Sequence, residues 1–299
     1  MLIRGGVLVL IVDMTYGEIE MKLIDYEIPS TCKIFLIGDI HQGSPACYEK
    51  GVNKVIECIK KDKNARVVVM GDVIEAINIE DKRITYQKEI PIPAQQRDLA
   101  IELLRPIKDK IITILLGNHE MKLWKNFNPI EDICKALNVE YGSYTSVVSL
   151  YDSKGFMFRM FLAHGYGQIN SHAGRKEQRL TNMISKLKRL LEEQAGDCLV
   201  MAIGDSHKLL IAPPLQELIL KFSDNDMKQH YLSQGEGNEF FIPPDRRWYI
   251  NTGSFQAKYS KDPRSVTFAE RRGFSPNELG CAVIEIKNRK IENVRKMVV

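Results

Sequence analysis

KIFLIGDIH at residues 33–41, ARVVVMGD at 65–72 and IITILLGNHE at 111–120 share one grammar: a short apolar run rich in β-branched residues, a glycine, then an acid, an amide or a histidine. Such runs, closed by Gly, read as strands. Between the first two, Tyr48, Val52, Val55, Ile56 and Ile59 recur at helical spacing, with Glu49, Lys50, Asn53 and Lys54 among them. That pattern predicts an amphipathic helix from about Ala46 to Lys61, and strand, helix, strand is βαβ order. A second helix, from about Ala94 to Asp109 with Leu99, Leu103 and Ile107 on its core face, leads to the third strand. FMFRMFLA at 156–163, CLVMAI at 198–203 and WYI at 248–250 predict further strands, and 176–193 predicts a long helix presenting Leu180, Ile184, Leu187 and Leu191 on one face. Residues 1–30 and 282–298 show partial apolar/polar alternation and read as strand hairpins that extend or edge a sheet.

Five of these strands run directly into groups able to bind a metal: Asp39 and His41 after Gly38, Asp72 after Gly71, Asn118, His119 and Glu120 after Gly117, His164 after Ala163, and Asp205 and His207 after Gly204. In an open α/β sheet such ends meet at one edge, where ligands bind. Each glycine permits the sharp turn a strand end requires. Asp39 and His41 are two residues apart, so in an extended segment they point to one side, and Asp205 and His207 repeat the spacing. Carboxylate, imidazole and amide donors together suit Mn, Fe or Zn, not a thiolate cage or an all-oxygen calcium site.

Composition sets the limits around this reading. At 299 residues, 44% apolar and 27% charged, with no Pro/Gly/Ser-rich linker, the chain reads as one domain over 1–299, with 1–30 as an N-terminal strand extension and 165–195 as a basic loop–helix insertion. The apolar run Val7 to Val12 is far too short for a membrane span, so no membrane association and a cytoplasmic location are expected. Six scattered cysteines without a C-x-x-C pair read as free, mostly buried thiols of a reducing compartment. A net charge of +4 is too balanced to mark a nucleic-acid-binding protein by composition, so any basic site is local. Between Ser171 and Leu190 six basic residues face one acidic residue. His172, Arg175, Lys176 and Arg179 are candidate contacts to a substrate phosphate, and the 171–190 segment is a candidate clamp for nucleic acid, against the plainer reading of a solvated helix face. Arg246, Arg247, Arg264, Arg271 and Arg272 form a second cluster of the same kind, while His230 reads as structural or exposed.

The ordered series D-x-H, G-D, G-N-H-E, a lone His and a final G-x-x-H, followed by NTGS at 251–254, resembles the calcineurin-like metallophosphoesterases, whose last block is G-H-x-H. The resemblance implies a four-layer α/β/β/α sandwich of two mixed sheets and two divalent metal ions. Carried over residue by residue, it assigns Asp39, His41 and His207 to the first ion and Asn118, His164 and position 205 to the second, with Asp72 bridging them. His119 and the bridging Asp72 are then the catalytic residues. Glu120 orients His119 or caps the following helix without touching metal, and Glu75 keeps both a structural and a functional reading. The implied activity is hydrolysis of phosphate esters, a metal-bridging hydroxide attacking phosphorus in line. Donors limited to O and N favour Mn, with Fe, Zn, Mg or Ni as alternatives. A nuclease or phosphodiesterase acting on DNA or RNA and a catalytically weakened scaffold subunit are the competing functions.

Two departures sharpen the resemblance. Asp205 stands where the family has His, and is expected to ligate the second ion with a shorter, charged donor that shifts preference from Zn toward Mn or Mg. The block GDVIE at 71–75 lacks the Arg of the GDxVDRG run, which argues against the protein serine/threonine phosphatase branch.

Overall fold

The computed structural model describes residues 22–76, 92–125, 127–223, 226–232, 234–235, 241–260 and 266–299. The Val7–Val12 run, most of the 1–30 extension and Arg264 lie outside them. In chain order the elements are β1 (Lys22–Glu27), β2 (Cys32–Ile37), α1 (Glu49–Lys61), β3 (Ala65–Val69), α2 (Pro93–Leu104), β4 (Ile111–Ile114), α3 (Pro129–Leu137), β5 (Thr145–Asp152), β6 (Gly155–Ala163), α4 (Lys176–Leu191), β7 (Val200–Ile203), β8 (Leu209–Ala212), β9 (Leu218–Ser223), β10 (Asp226–Tyr231), β11 (Trp248–Thr252), α5 (Phe268–Arg271), β12 (Gly280–Lys287) and β13 (Lys290–Val298).

Strand β2 shows how the layers stack. Side chains alternate across a strand, so Cys32, Ile34 and Leu36 enter one core while Phe35 and Ile37 enter another. The first core lies between two sheets: one in the order β13-β12-β2-β3-β4, the other β1-β5-β6-β7-β11-β8. Val148, Leu150, Met160, Leu162, Val200 and Ile250 fill it from the second sheet. The other face of the first sheet is covered by α1, α2 and α3 through Val52, Val55, Ile56, Ala100, Leu104, Ile130 and Ile133. Leu187 and Leu191 of α4 cover the outer face of the second sheet over Phe161, Met201 and Tyr249. Helix, sheet, sheet, helix is the expected four-layer sandwich, and each sheet mixes parallel with antiparallel pairs. β9 and β10 form a separate two-stranded ribbon. Among the described residues no helix is long and apolar enough to cross a membrane.

Three details differ from the sequence reading. Helix α2 buries Gln96, Ala100 and Leu104; of the expected core face Ile107 is buried and Leu103 packs half-buried against the core, while Leu99 is exposed. Gln96 is satisfied in its buried position, its side-chain oxygen accepting the Ala76 N–H at 2.9 Å. In α4 only the C-terminal half packs, and Leu180 stays 46% exposed. α3 went unread, although Asn128 accepts from the Ile130 and Glu131 N–H groups, Pro129 opens the first turn, and Asn138 ends the helix in a left-handed conformation.

Register is what makes a site. β2 and β3 are parallel with Ile37 opposite Val69, β6 and β7 are parallel with Ala163 opposite Ile203, and Asn251 of β11 lies opposite Ile203. These strands therefore end level with one another, and the loops that follow them share one edge. A hydrogen bond from the Asp205 N–H to Asp39 Oδ2 (3.1 Å) and another from Ser254 Oγ to the Asp39 carbonyl (3.1 Å) join the edges of the two sheets.

Candidate metal centre

Asp39, His41, Asp72, Asp205 and His207 are not in extended backbone: all five have φ between 48° and 59°, in the left-handed region. The spacing-by-two argument requires extended segments, and the backbone at these five positions is not extended. Each strand stops before its ligands, and the side chains converge because the chain coils left-handedly past the strand end. Non-glycine residues held there cost about 1–3 kcal/mol each and persist where their surroundings over-determine them. Here the N–H groups of Ile40 and His41 both donate to the Asp72 carbonyl, at 2.9 Å each, and the Asp39 N–H donates to the Gly71 carbonyl. Glycine serves mainly for close approach. A Cβ on Gly117 would stand 2.1 Å from Asp72 Oδ1, and one on Gly71 would meet His164 Nδ1 at 2.5 Å.

The donor atoms fall into overlapping groups: Asp39, His41 and His207; His41, Asp72 and His119; Asp39, Asp72 and His164. Within the first, His41 Nε2 lies 3.3 Å from His207 Nε2, which in turn lies 3.2 Å from Asp39 Oδ1. Asp72 spans the groups, with Oδ2 3.7 Å from His41 Nε2 and Oδ1 3.4 Å from His164 Nε2. Burial alone would raise the Asp72 pKa, but the imidazoles of His164, His119 and His41 hold it well below the usual carboxylate range.

Tautomers follow from what stands behind each ring. His164 donates Nδ1–H to the Met70 carbonyl at 2.8 Å, which turns the buried Nε2 toward Asp72 Oδ1 at 3.4 Å, with no hydrogen bond formed to it. Glu75 Oε2 lies 2.9 Å from His41 Nδ1, behind the ring, while His41 Nε2 faces Asp72 and His207. His119 donates Nδ1–H to the Glu75 carbonyl at 2.5 Å, with Nε2 4.0 Å from Asp72 Oδ2, and burial pushes its pKa down to about 4. His207 differs, because Lys258 Nζ lies 3.1 Å from its Nδ1. Burial lowers the Lys258 pKa to about 8.

Asn118 Nδ2 donates to Asp205 Oδ1 at 2.8 Å, so its amide oxygen turns the other way and is buried with no hydrogen-bond partner. Asp205 Oδ2 accepts the Gly167 N–H at 3.2 Å. Asp205 thus sits beside the centre, its carboxylate bound to an amide and a backbone N–H. Glu120 is fully buried and ties two loops together, Oε1 accepting from the Ile74 N–H (2.9 Å) and Oε2 from the Gly117 N–H (3.0 Å). It contacts backbone, not the His119 ring. Burial and the neighbouring Asp72 charge raise its pKa to about 7.

The family model for the calcineurin-like phosphoesterases matches residues 32–211. The chain belongs to that family. Phosphoester hydrolysis is thereby the expected class of reaction, and the unpartnered buried atoms of Asp39, Asn118 and His164 fit the divalent ions that the family binds. Comparison with curated proteins finds no match. Among solved structures, the nuclease MPE of Pseudomonas putida is similar at 11% identity, covering 88% of this chain and 87% of that one, with a TM-score of 0.29. A superposition that loose says nothing about the substrate of this phosphoesterase.

The basic segment stands apart from the centre. Arg179 donates to the carbonyls of Ala173 and Gly174, Lys186 to that of Gln168, and Lys188 pairs with Asp245, so these cations organise their own loop and helix. His172, Arg175 and Lys176 are exposed, and among the described residues no hydrogen bond or ion pair links them to the donor cluster. Arg247 is buried and donates to four carbonyls, those of Ile242, Glu192, Ala195 and Gly196, while Arg246 pairs with Glu217. Lys258 and Ser254 reach the centre from beyond the last motif block. NTGS was a partial signal for Ser254; Lys258 carried none.

Proposed function

We propose that this phosphoesterase holds two divalent ions and hydrolyses phosphate esters. The observation that carries the proposal is the buried Asp72 carboxylate, whose two oxygens face imidazoles of different groups, His41 on one side and His164 on the other. Asp39, His41 and His207 would hold one ion; His164 and the Asn118 amide oxygen would hold the other, with Asp72 between them. Ions so held supply Lewis acidity, activating water and drawing charge from the phosphoryl oxygens. Mn is the preferred ion because every donor is O or N.

The remaining steps belong to side chains. Asp39 and Asp72 balance cationic charge, and Glu75 keeps His41 in the tautomer with Nε2 facing inward. Asp205 fixes the amide of Asn118, since a carboxylate accepts only and therefore selects the NH2 end. Direct ligation by Asp205 would use a second lone pair of an oxygen already accepting a hydrogen bond. His119, neutral as it stands, gains proton affinity when an anionic phosphate lies against Nε2, and can then donate to the leaving oxygen.

Purified protein assayed on bis-(p-nitrophenyl) phosphate, p-nitrophenyl phosphate, cyclic nucleotides and DNA, before and after chelation and Mn return, tests the reading. Turnover is expected to vanish with chelation and return with Mn. Turnover of every substrate without metal would sink it. His119→Ala should keep its metal content yet lose about 10²–10⁴-fold on esters with basic leaving groups, and much less on nitrophenyl esters. Metal loss in that variant would make His119 a ligand.

A further inference from the structure

Beside the centre, a cavity of about 100 Å³ is lined by His119, Gln256, Lys258, Phe268, Ala269 and Phe274. Three facts make it more than a surface dimple. It shares His119 with the centre, and Lys258 Nζ also reaches His207. Its far wall is aromatic: the rings of Phe268 and Phe274 meet edge to face at 6.2 Å, and Phe274 is 48% exposed at the mouth. The wall is also anchored, for Thr267 Oγ1 donates to the Lys258 carbonyl and caps α5 through the Glu270 N–H, and Tyr259 OH donates to the Phe274 carbonyl.

We propose that this cavity receives a planar aromatic ring carried by the leaving alcohol of the phosphate ester, an inference that rests on the hydrolase reading and names its substrate class. A proton donor to the leaving oxygen has to sit between the phosphorus and the rest of the leaving group. His119 occupies that position, with Nε2 toward Asp72 and the cavity against its ring. The volume suits one ring partly inserted, since an enclosed apolar cavity of about 150 Å³ holds benzene. Phe274, half exposed at the mouth, and the partly buried Phe268 behind it offer the stacking surface that bases use on single strands. Gln256 donates its side-chain N–H to Glu75 Oε2 at 3.2 Å, and its oxygen, without a donor among the described residues, is free to accept from a ring N–H. Alkyl and unsubstituted sugar esters leave this wall in contact with water.

Equilibrium binding to the Mn-loaded full chain tests the pocket without turnover, with adenosine, phenol and ribose as probes. Adenosine or phenol should bind at least tenfold more tightly than ribose, and the tighter of the two identifies the ring as nucleobase or simple aryl. Phe274→Ala should weaken that ring about tenfold, and Ala269→Leu, which fills the cavity, should abolish its binding while circular dichroism stays that of the wild type. Equal binding of all three probes, or unchanged ring binding in both variants, overturns the inference. In turnover, kcat/KM for adenosine 5′-monophosphate should exceed that for ribose 5-phosphate at least tenfold, the leaving oxygen being of the same kind in both. Ring binding with no hydrolysis of any ester refutes the hydrolase reading alone. Hydrolysis indifferent to the ring refutes the pocket alone.

Discussion

The two sides of the donor cluster are held by different means. Around Asp39, His41 and His207, each ring is backed by an ionisable side chain, His41 by Glu75 and His207 by Lys258, while Asp39 Oδ2 is occupied by the Asp205 N–H. Around His164 and Asn118 the backing is a backbone carbonyl for the imidazole and Asp205 for the amide. The first side meets the family pattern in full and the second carries the departure. Exchange of His for Asp at 205 trades a neutral ring donor for a carboxylate that grips the neighbouring donor, so one substitution affects the second side twice. Lys258 makes the first side unusual too: an imidazole that keeps its Nε2 lone pair carries its hydrogen on Nδ1, so the 3.1 Å contact requires Lys258 to accept as the neutral amine, whereas Glu75 accepts behind His41 as a carboxylate.

The largest expected effect joins both sides. Asp72→Ala removes the carboxylate whose two oxygens face His41 and His164, and should lower turnover at least a thousandfold, with fewer than one Mn retained per chain by elemental analysis. Retention of two ions would mean that the sides are independent.

Asp205→Ala separates them. The second ion should bind about 10–100-fold more weakly, as when a partner behind a ligand is lost, with the first nearly unchanged in a competition titration. Asp205→His should recover two ions and shift preference toward Zn. Full occupancy and activity in Asp205→Ala would reduce the carboxylate to a turn former.

What could be read from the chain follows from what each feature depends on. Apolar runs of β-branched and aromatic residues depend on local composition, so β2, β3, β4, β6 and β7 were legible, and the order of the motif blocks pointed to the candidate donors in the loops that follow them. The left-handed conformations of Asp39, His41, Asp72, Asp205 and His207 were not, because Asp and His tolerate that region without requiring it and the conformation is held by contacts between loops distant in sequence. The burial of Gln96 in α2 goes with a long-range contact to Ala76, invisible to periodicity. Arg246 and Arg247 read as surface charge because a sequence shows the cation and not the carbonyls that surround it. α3 is the opposite case: Asn128, Pro129 and Asn138 were adequate signals, overlooked beside the stronger motifs.

The smallest effect concerns the segment farthest, in bonding terms, from the centre. Arg175→Ala with Lys176→Ala should change kcat/KM on small esters less than about twofold, as surface charges do. A steep loss confined to DNA, with a shallower salt dependence of DNA binding, would instead make α4 a backbone clamp.

The central claim is that Asp72 couples two ions, and electron paramagnetic resonance of Mn-titrated protein tests it most directly. The account predicts that signal from isolated Mn gives way, as the second equivalent binds, to an exchange-coupled pair, with saturation at two ions per chain. Saturation at one ion, or two ions whose spectra stay uncoupled, would contradict it.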